Sequence, residues 1–132
     1  MTVTVLADTS VWVEFLRHGR TGKAARLDDL LARGQVVVCG PVVAELVAGT
    51  AALRRAELIA LLNALPWADL GRSQWAQAGE LAARLRDRGT TTALTDIAIA
   101  VAAVTANAEL WTWDGDFARI AAVLDRLSLF SP

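Results

Sequence analysis

A repeated pairing constrains this chain most: a short apolar run, then a segment whose apolar residues recur at helical spacing. Residues 3–7 read VTVLA, residues 35–40 QVVVCG and residues 109–113 ELWTW. Runs this short and this rich in valine and aromatic residues predict buried strands rather than helices. After the first run, Val11, Trp12, Phe15 and Leu16 recur on one helical face. After the second, PVVAELVAG starts with Pro41 in the favoured first position of a helix and stops at Gly49. Further helices are predicted in GKAARLDDLLARG up to Gly34, in LRRAELIALLNAL up to Pro66, in TDIAIAVAAVTAN and in DFARIAAVL. SQWAQAGELAARLRDRG adds another, with Ser73 as the expected N-cap and Gly89 beyond its end. PWADL and LSLF are two more candidate strands. Strands that are apolar on both faces and alternate with helices belong in a parallel sheet covered on both sides. The predicted fold is therefore α/β: a three-layer α/β/α domain with a mainly parallel central sheet, spanning residues 1–132.

Composition narrows the function classes. With 55% hydrophobic residues the chain can bury a substantial core, which argues against disorder. The first residues lack a basic start, and Asp8 interrupts the apolar run, so no secretory leader is expected. No stretch approaches the ~20 apolar residues of a membrane helix, so a soluble, cytoplasmic protein with no membrane partner is expected. Cys39 is the only cysteine, which excludes an internal disulfide and a multi-thiolate zinc site; it is expected as a small buried hydrophobe. His18 is the only histidine, expected as a favourable charge at the end of the first helix, and its isolation excludes mechanisms needing two imidazoles. The net charge of −1 argues against broad attraction to nucleic acid. Lys23 is the single lysine. Basic clusters at Arg17–His18–Arg20–Lys23–Arg26 and Arg84–Arg86–Arg88 suit either solvated helix faces or phosphate contacts.

The acids are the features that do not fit their surroundings. Asp8 ends the first strand, and sites in parallel α/β sheets form outside the carboxyl ends of strands. Glu45 is the only charge in PVVAELVAG, and Asp96 stands at the start of a nearly all-apolar helix. Asp114 and Asp116 close the apolar strand ELWTW. Each position has an ordinary structural explanation. Asp8 and Asp96 could cap helices, Asp114–Gly115 is a common turn pair, and Asp116 suits an N-cap before Phe117. Taken together these explanations strain, because two unit charges 4 Å apart repel by about 4 kcal/mol at an effective dielectric near 20. Hard divalent cations with oxygen ligands relieve that repulsion, and the lack of a histidine cluster argues against zinc. An all-carboxylate Mg2+ or Mn2+ site suits phosphodiester hydrolysis, with Glu45 or Asp114 free to position the attacking water.

The blocks LADTSVWVEFL, PVVAELVAG, LTDIAIAVAA and LWTWDGDFARI resemble the four motifs of PIN-domain ribonucleases, and within them the VapC-type toxins of toxin–antitoxin pairs. The likeness runs from the first strand to the last. It implies an Mg2+- or Mn2+-dependent endoribonuclease, usually a homodimer, held inactive by a cognate antitoxin protein. By position, Asp8, Glu45, Asp96 and Asp114 match the acidic quartet, and Asp116 matches an additional acid. Ser10 matches a small polar residue that supports the first aspartate. Trp12, Trp75, Trp111 and Trp113 are expected in the core or in dimer contacts, whereas Arg86 and Arg88 are the expected RNA contacts. Two alternatives remain: a phosphoacceptor receiver-like signalling domain, which needs a late lysine beside the acids, and a non-catalytic RNA-binding module.

Overall fold

The computed structural model describes residues 2–132. Strands β1 (Val5–Ala7), β2 (Val36–Val37) and β3 (Glu109–Trp111) form a parallel sheet in the order β2-β1-β3. The register pairs Val5 with both Val36 and Glu109, and Ala7 with Trp111. Parallel bridges widen the sheet at both edges, Val38 with Trp67 and Leu110 with Leu129, so PWADL and LSLF do run beside it. They remain single bridges because each offers only a short extended stretch. Among the described residues seven α-helices surround the sheet: α1 (Thr9–His18), α2 (Arg26–Ala32), α3 (Gly40–Ala48), α4 (Ala52–Asn63), α5 (Arg72–Asp87), α6 (Leu94–Thr105) and α7 (Phe117–Ala121). None is long and apolar enough to cross a membrane among the described residues.

The apolar pattern becomes the core directly. Val5, Leu6 and Ala7 are fully buried, and Ile97–Ala103 of α6 form seven consecutive buried residues. A helix buried nearly all round must be the central one of its layer, and α6 packs on α5, α3, α7 and β3. Trp12, Trp111 and Phe117 are the largest fully enclosed side chains, each contributing roughly 1.5–3 kcal/mol through burial. Cys39 is buried, and loss of solvent pushes its thiol up to about 11, so it stays protonated at neutral pH.

Three helices end alike. Gly34 (φ 68°), Gly89 (φ 80°) and Asn107 (φ 54°) occupy the left-handed region just past α2, α5 and α6. In each case paired backbone bonds close the last turn, as in Gln35 N–H to Leu30 O (2.9 Å) and Gly34 N–H to Leu31 O (3.1 Å). Other expected boundaries moved. The segment GKAA forms turns, and α2 starts only at Arg26. Helix α5 takes Gly71 rather than Ser73 as its N-cap, because Gln74 Oε1 reaches back to accept the Gly71 N–H at 2.9 Å.

Candidate active site

Asp8 is positioned by the junction of β1 and α1. Its N–H donates to Trp111 O at 2.9 Å, continuing the β1–β3 ladder by one residue. Its Oδ1 accepts the Val11 N–H at 3.2 Å and the Ser10 hydroxyl at 2.6 Å, while Oδ2 accepts the Thr112 hydroxyl. Asp8 is 5% exposed and is the only buried charged side chain among the described residues. Three donors compensate that burial. The cap role predicted for Asp8 is therefore real, and it leaves the carboxylate aimed along the end of the sheet.

Three more acids face the same cleft of about 300 Å3, which is lined by Asp8, Thr9, Ser10, Glu45, Asp96, Ile99 and Asp114. Glu45, on α3, is exposed and accepts the Thr9 hydroxyl at 2.7 Å. Asp114 is held after β3 by its N–H donating to Thr112 Oγ1 at 3.0 Å. Asp96 is half-buried in the first turn of α6. It is not a cap, because Ala93 occupies that position and no side-chain cap bond forms. Burial raises the Asp96 carboxyl above its ordinary value, and the charges of Asp114, Glu45, Asp8 and Asp116 raise it further. Its electrostatics thus register every other acid singled out in the sequence.

Asp116 stands apart. It does not line the cleft, and its carboxylate lies 3.7 Å from Arg119 Nη1. The expected N-cap is not made either: the residue has helical backbone angles, and its N–H donates to Asp114 Oδ1 at 2.9 Å. Arg86 and Arg88 lie exposed at the end of α5 and do not line the cleft. Of the tryptophans expected inside, Trp12 and Trp111 are buried, but Trp75 and Trp113 are 49% and 45% exposed.

Two residues escaped the sequence reading. Thr9 holds Glu45, and Thr112 bridges Asp8 and Asp114. A signal for Thr112 existed: the two-residue alternation of ELWTW puts Thr112 on the opposite side from both neighbouring tryptophans.

The donor set is all oxygen, carries no neutralising lysine or arginine, and includes a carboxylate, Asp96, that receives no hydrogen bond from a described residue. That chemistry fits a hard divalent cation. The side chains are spread around the cleft: no group of three or more His, Cys, Asp or Glu is closed on a single ion position among the described residues. A larger opening of about 520 Å3 lies at the opposite end of the sheet, lined by Thr2, Thr4, Asn107 and Arg126 among others. Its only acid is Glu109, so the carboxylate chemistry belongs to the smaller cleft.

Solved structures share this fold. The VapBC2 complex of Rickettsia felis, bound to a DNA fragment from its promoter, matches at 22% identity with a TM-score of 0.73, over 97% of this chain and 98% of that one. VapBC-5 of Mycobacterium tuberculosis, a member of the VapBC family of toxin–antitoxin systems, matches at 23% and 0.62, over 99% and 100%. VapC20 of the same organism, a sarcin–ricin loop cleaving toxin, matches at 19% and 0.60, over 87% and 93%. At such identities the likeness is one of fold. No curated protein matches the sequence. The family profile of the PIN domain, however, matches residues 5–123, from the first residue of β1 to beyond α7, and the chain therefore belongs to the PIN-domain family.

Proposed function

We propose that the protein is a divalent-metal-dependent endoribonuclease of the VapC type, the toxin of a toxin–antitoxin pair. One observation carries the reading: Asp8, Glu45, Asp96 and Asp114 share one cleft with no basic side chain among its lining residues. Fold likeness to VapBC complexes and to a sarcin–ricin loop cleaving toxin supports it. Mg2+, with Mn2+ as a substitute, would be held by Asp8, Asp96 and one of Glu45 and Asp114, with Asp116 adding charge from outside. When bound, such an ion supplies a Lewis acid for phosphate and makes a water acidic enough to attack near neutral pH. The residues do the rest. Three donors fix Asp8, and Thr112 keeps Asp114 in step with it. Whichever of Glu45 and Asp114 is left free orients the water for in-line attack on phosphorus. The P–O3′ bond breaks, so the products carry 5′-phosphate and 3′-hydroxyl ends.

Inhibition by a cognate antitoxin follows if an arginine or an apolar segment of the partner covers the acidic cleft. Exposed Leu16, Leu53, Leu61 and Leu94 give such a partner, or a second copy of the chain, apolar surface to bury. The receiver-domain reading is not favoured, because Lys23 lies between α1 and α2 and does not line the cleft. The purified protein should cleave RNA in Mg2+ or Mn2+ and stop in EDTA. Undiminished cleavage in excess chelator, or products ending in 2′,3′-cyclic phosphate, would overturn the mechanism.

A further inference from the structure

Glu45 and Asp114 compete for one free place in the chemistry above, and their supports differ. Asp114 is coupled to Asp8. Its N–H donates to Thr112 Oγ1 at 3.0 Å, and the same hydroxyl donates to Asp8 Oδ2. Its own Oδ1 accepts the Asp116 N–H at 2.9 Å, so backbone and carboxylate are both pinned in the turn after β3. Asp114 also acts most strongly on Asp96: after burial, its charge is the largest cause of the raised Asp96 carboxyl, ahead of Glu45 and Asp8. A dication relieves most repulsion between those two acids. Glu45 is held another way. It is exposed on α3, and its carboxylate has one hydrogen-bond partner among the described residues, the Thr9 hydroxyl at 2.7 Å from Oε1. Oε2 accepts nothing.

Thr9 is a firm anchor for that bond. It is the half-buried first residue of α1 and follows Asp8, whose carboxylate three donors fix. Consecutive Cα atoms are only ~3.8 Å apart, so a group tied to Thr9 is registered against Asp8 although it comes from another helix. An exposed glutamate otherwise loses much side-chain freedom when it must stay in one place. The donor's chemistry matters as well. A hydroxyl orients a carboxylate without cancelling its charge, whereas a lysine or arginine would pair with it, and the cleft lining includes neither. One oxygen is thereby held and the other is left to accept a hydrogen bond from water. Resting on the nuclease function proposed above, we propose that Glu45 is the acid that orients the attacking water and that Thr9 is the positioning residue that aims it, leaving Asp114 to act with Asp8 and Asp96.

The test combines RNA cleavage with two measurements that need no turnover. Thr9→Val exchanges the hydroxyl for a methyl group of similar shape. It should lower kcat about 10–100-fold while KM for RNA stays within about threefold, because a misaimed water slows the chemistry without weakening binding. Thr9→Ser, which keeps the hydroxyl, should recover most of that loss; should Thr9→Val not fold, Thr9→Ala carries the same expectation. In a Glu45→Gln background Thr9→Val should cost less than about twofold more, since the group it aims is already disabled. The rise in Tm on adding Mg2+ separates the two acids. Thr9→Val should keep it whole and Glu45→Gln should keep most of it, whereas Asp114→Asn should lose most of it. In metal-free protein the Glu45 side-chain carboxyl resonance, assigned through Glu45→Gln, should move in Thr9→Val and return in Thr9→Ser. An unmoved resonance, or a Thr9→Val protein with full kcat beside an active wild type, would overturn this proposal alone. So would a Mg2+ rise lost in Glu45→Gln and kept in Asp114→Asn, which would exchange the two roles. A wild type that never cleaves RNA would defeat the nuclease, and this proposal with it.

Discussion

A carboxyl group held above its ordinary range stores a stability effect with a definite sign, and Asp96 is the residue where it can be measured. Its ordinary value is 3.8, and burial together with four neighbouring acids raises it in the folded protein. The folded state therefore holds that proton more tightly than the unfolded chain does. The resulting stability is fully present below 3.8 and is lost as pH rises through the raised folded value. Asp96→Asn removes the effect. The metal-free variant should match or exceed wild type at neutral pH, by no more than about 1 kcal/mol because water still reaches the group. Its Mg2+-dependent rise in Tm should shrink, and RNA cleavage should fall by orders of magnitude. Wild-type cleavage with an intact metal shift would show Asp96 to be structural only. Thr112 makes a second case at this scale. Thr112→Val takes a donor from Asp8 and an acceptor from the Asp114 N–H. Denaturant titration should give a loss of about 1–2 kcal/mol, with activity reduced about 10–100-fold. Thr112→Ser should restore both.

The elements end where local chemistry tells them to. Gly34 and Gly89 stop α2 and α5 in left-handed conformations that glycine reaches without steric penalty. A methyl group at either position would meet nothing within 4 Å, so any cost of adding one is the cost of the backbone angle. Gly34→Ala should therefore lower stability by about 1–2 kcal/mol, read as a drop in Tm with the slope of denaturant unfolding unchanged. A neutral result would mean that the α2–β2 connection relaxes to another angle. The strands behave differently. β2 has two residues and β3 three, shorter than QVVVCG and ELWTW suggest. Strand length depends on how far a neighbour stays alongside, which an apolar run does not specify.

For the whole molecule, β1 lies at the centre of the sheet and brings its end beside those of β2 and β3. That order is why Glu45, Asp96 and Asp114 meet Asp8 although they come from three separate helices and loops. Apo and Mg2+-loaded protein should consequently differ in cooperative stability: metal should raise Tm of the entire unfolding transition, since its ligands tie together elements from both ends of the chain. A rise confined to a local probe, with the main transition unmoved, would mean that the acids do not share an ion.

The sequence by itself determined the parallel α/β architecture, the helix stops and the placing of Asp8, Asp96 and Asp114 at a strand's end or a helix's start. These depend on periodicity and on residues a few positions apart. Even the double nature of Asp8, cap and cleft wall, was implied by its place between strand and helix. Tertiary structure alone decided the membership of the cleft. It kept Asp96 unbonded, and exposed Trp113 while burying Trp111. It also joined Thr9 to Glu45 across 36 positions and Thr112 to Asp8 across 104. Such contacts depend on which strands become neighbours and how helices lie across them, and no local pattern encodes distances between segments that meet only after folding.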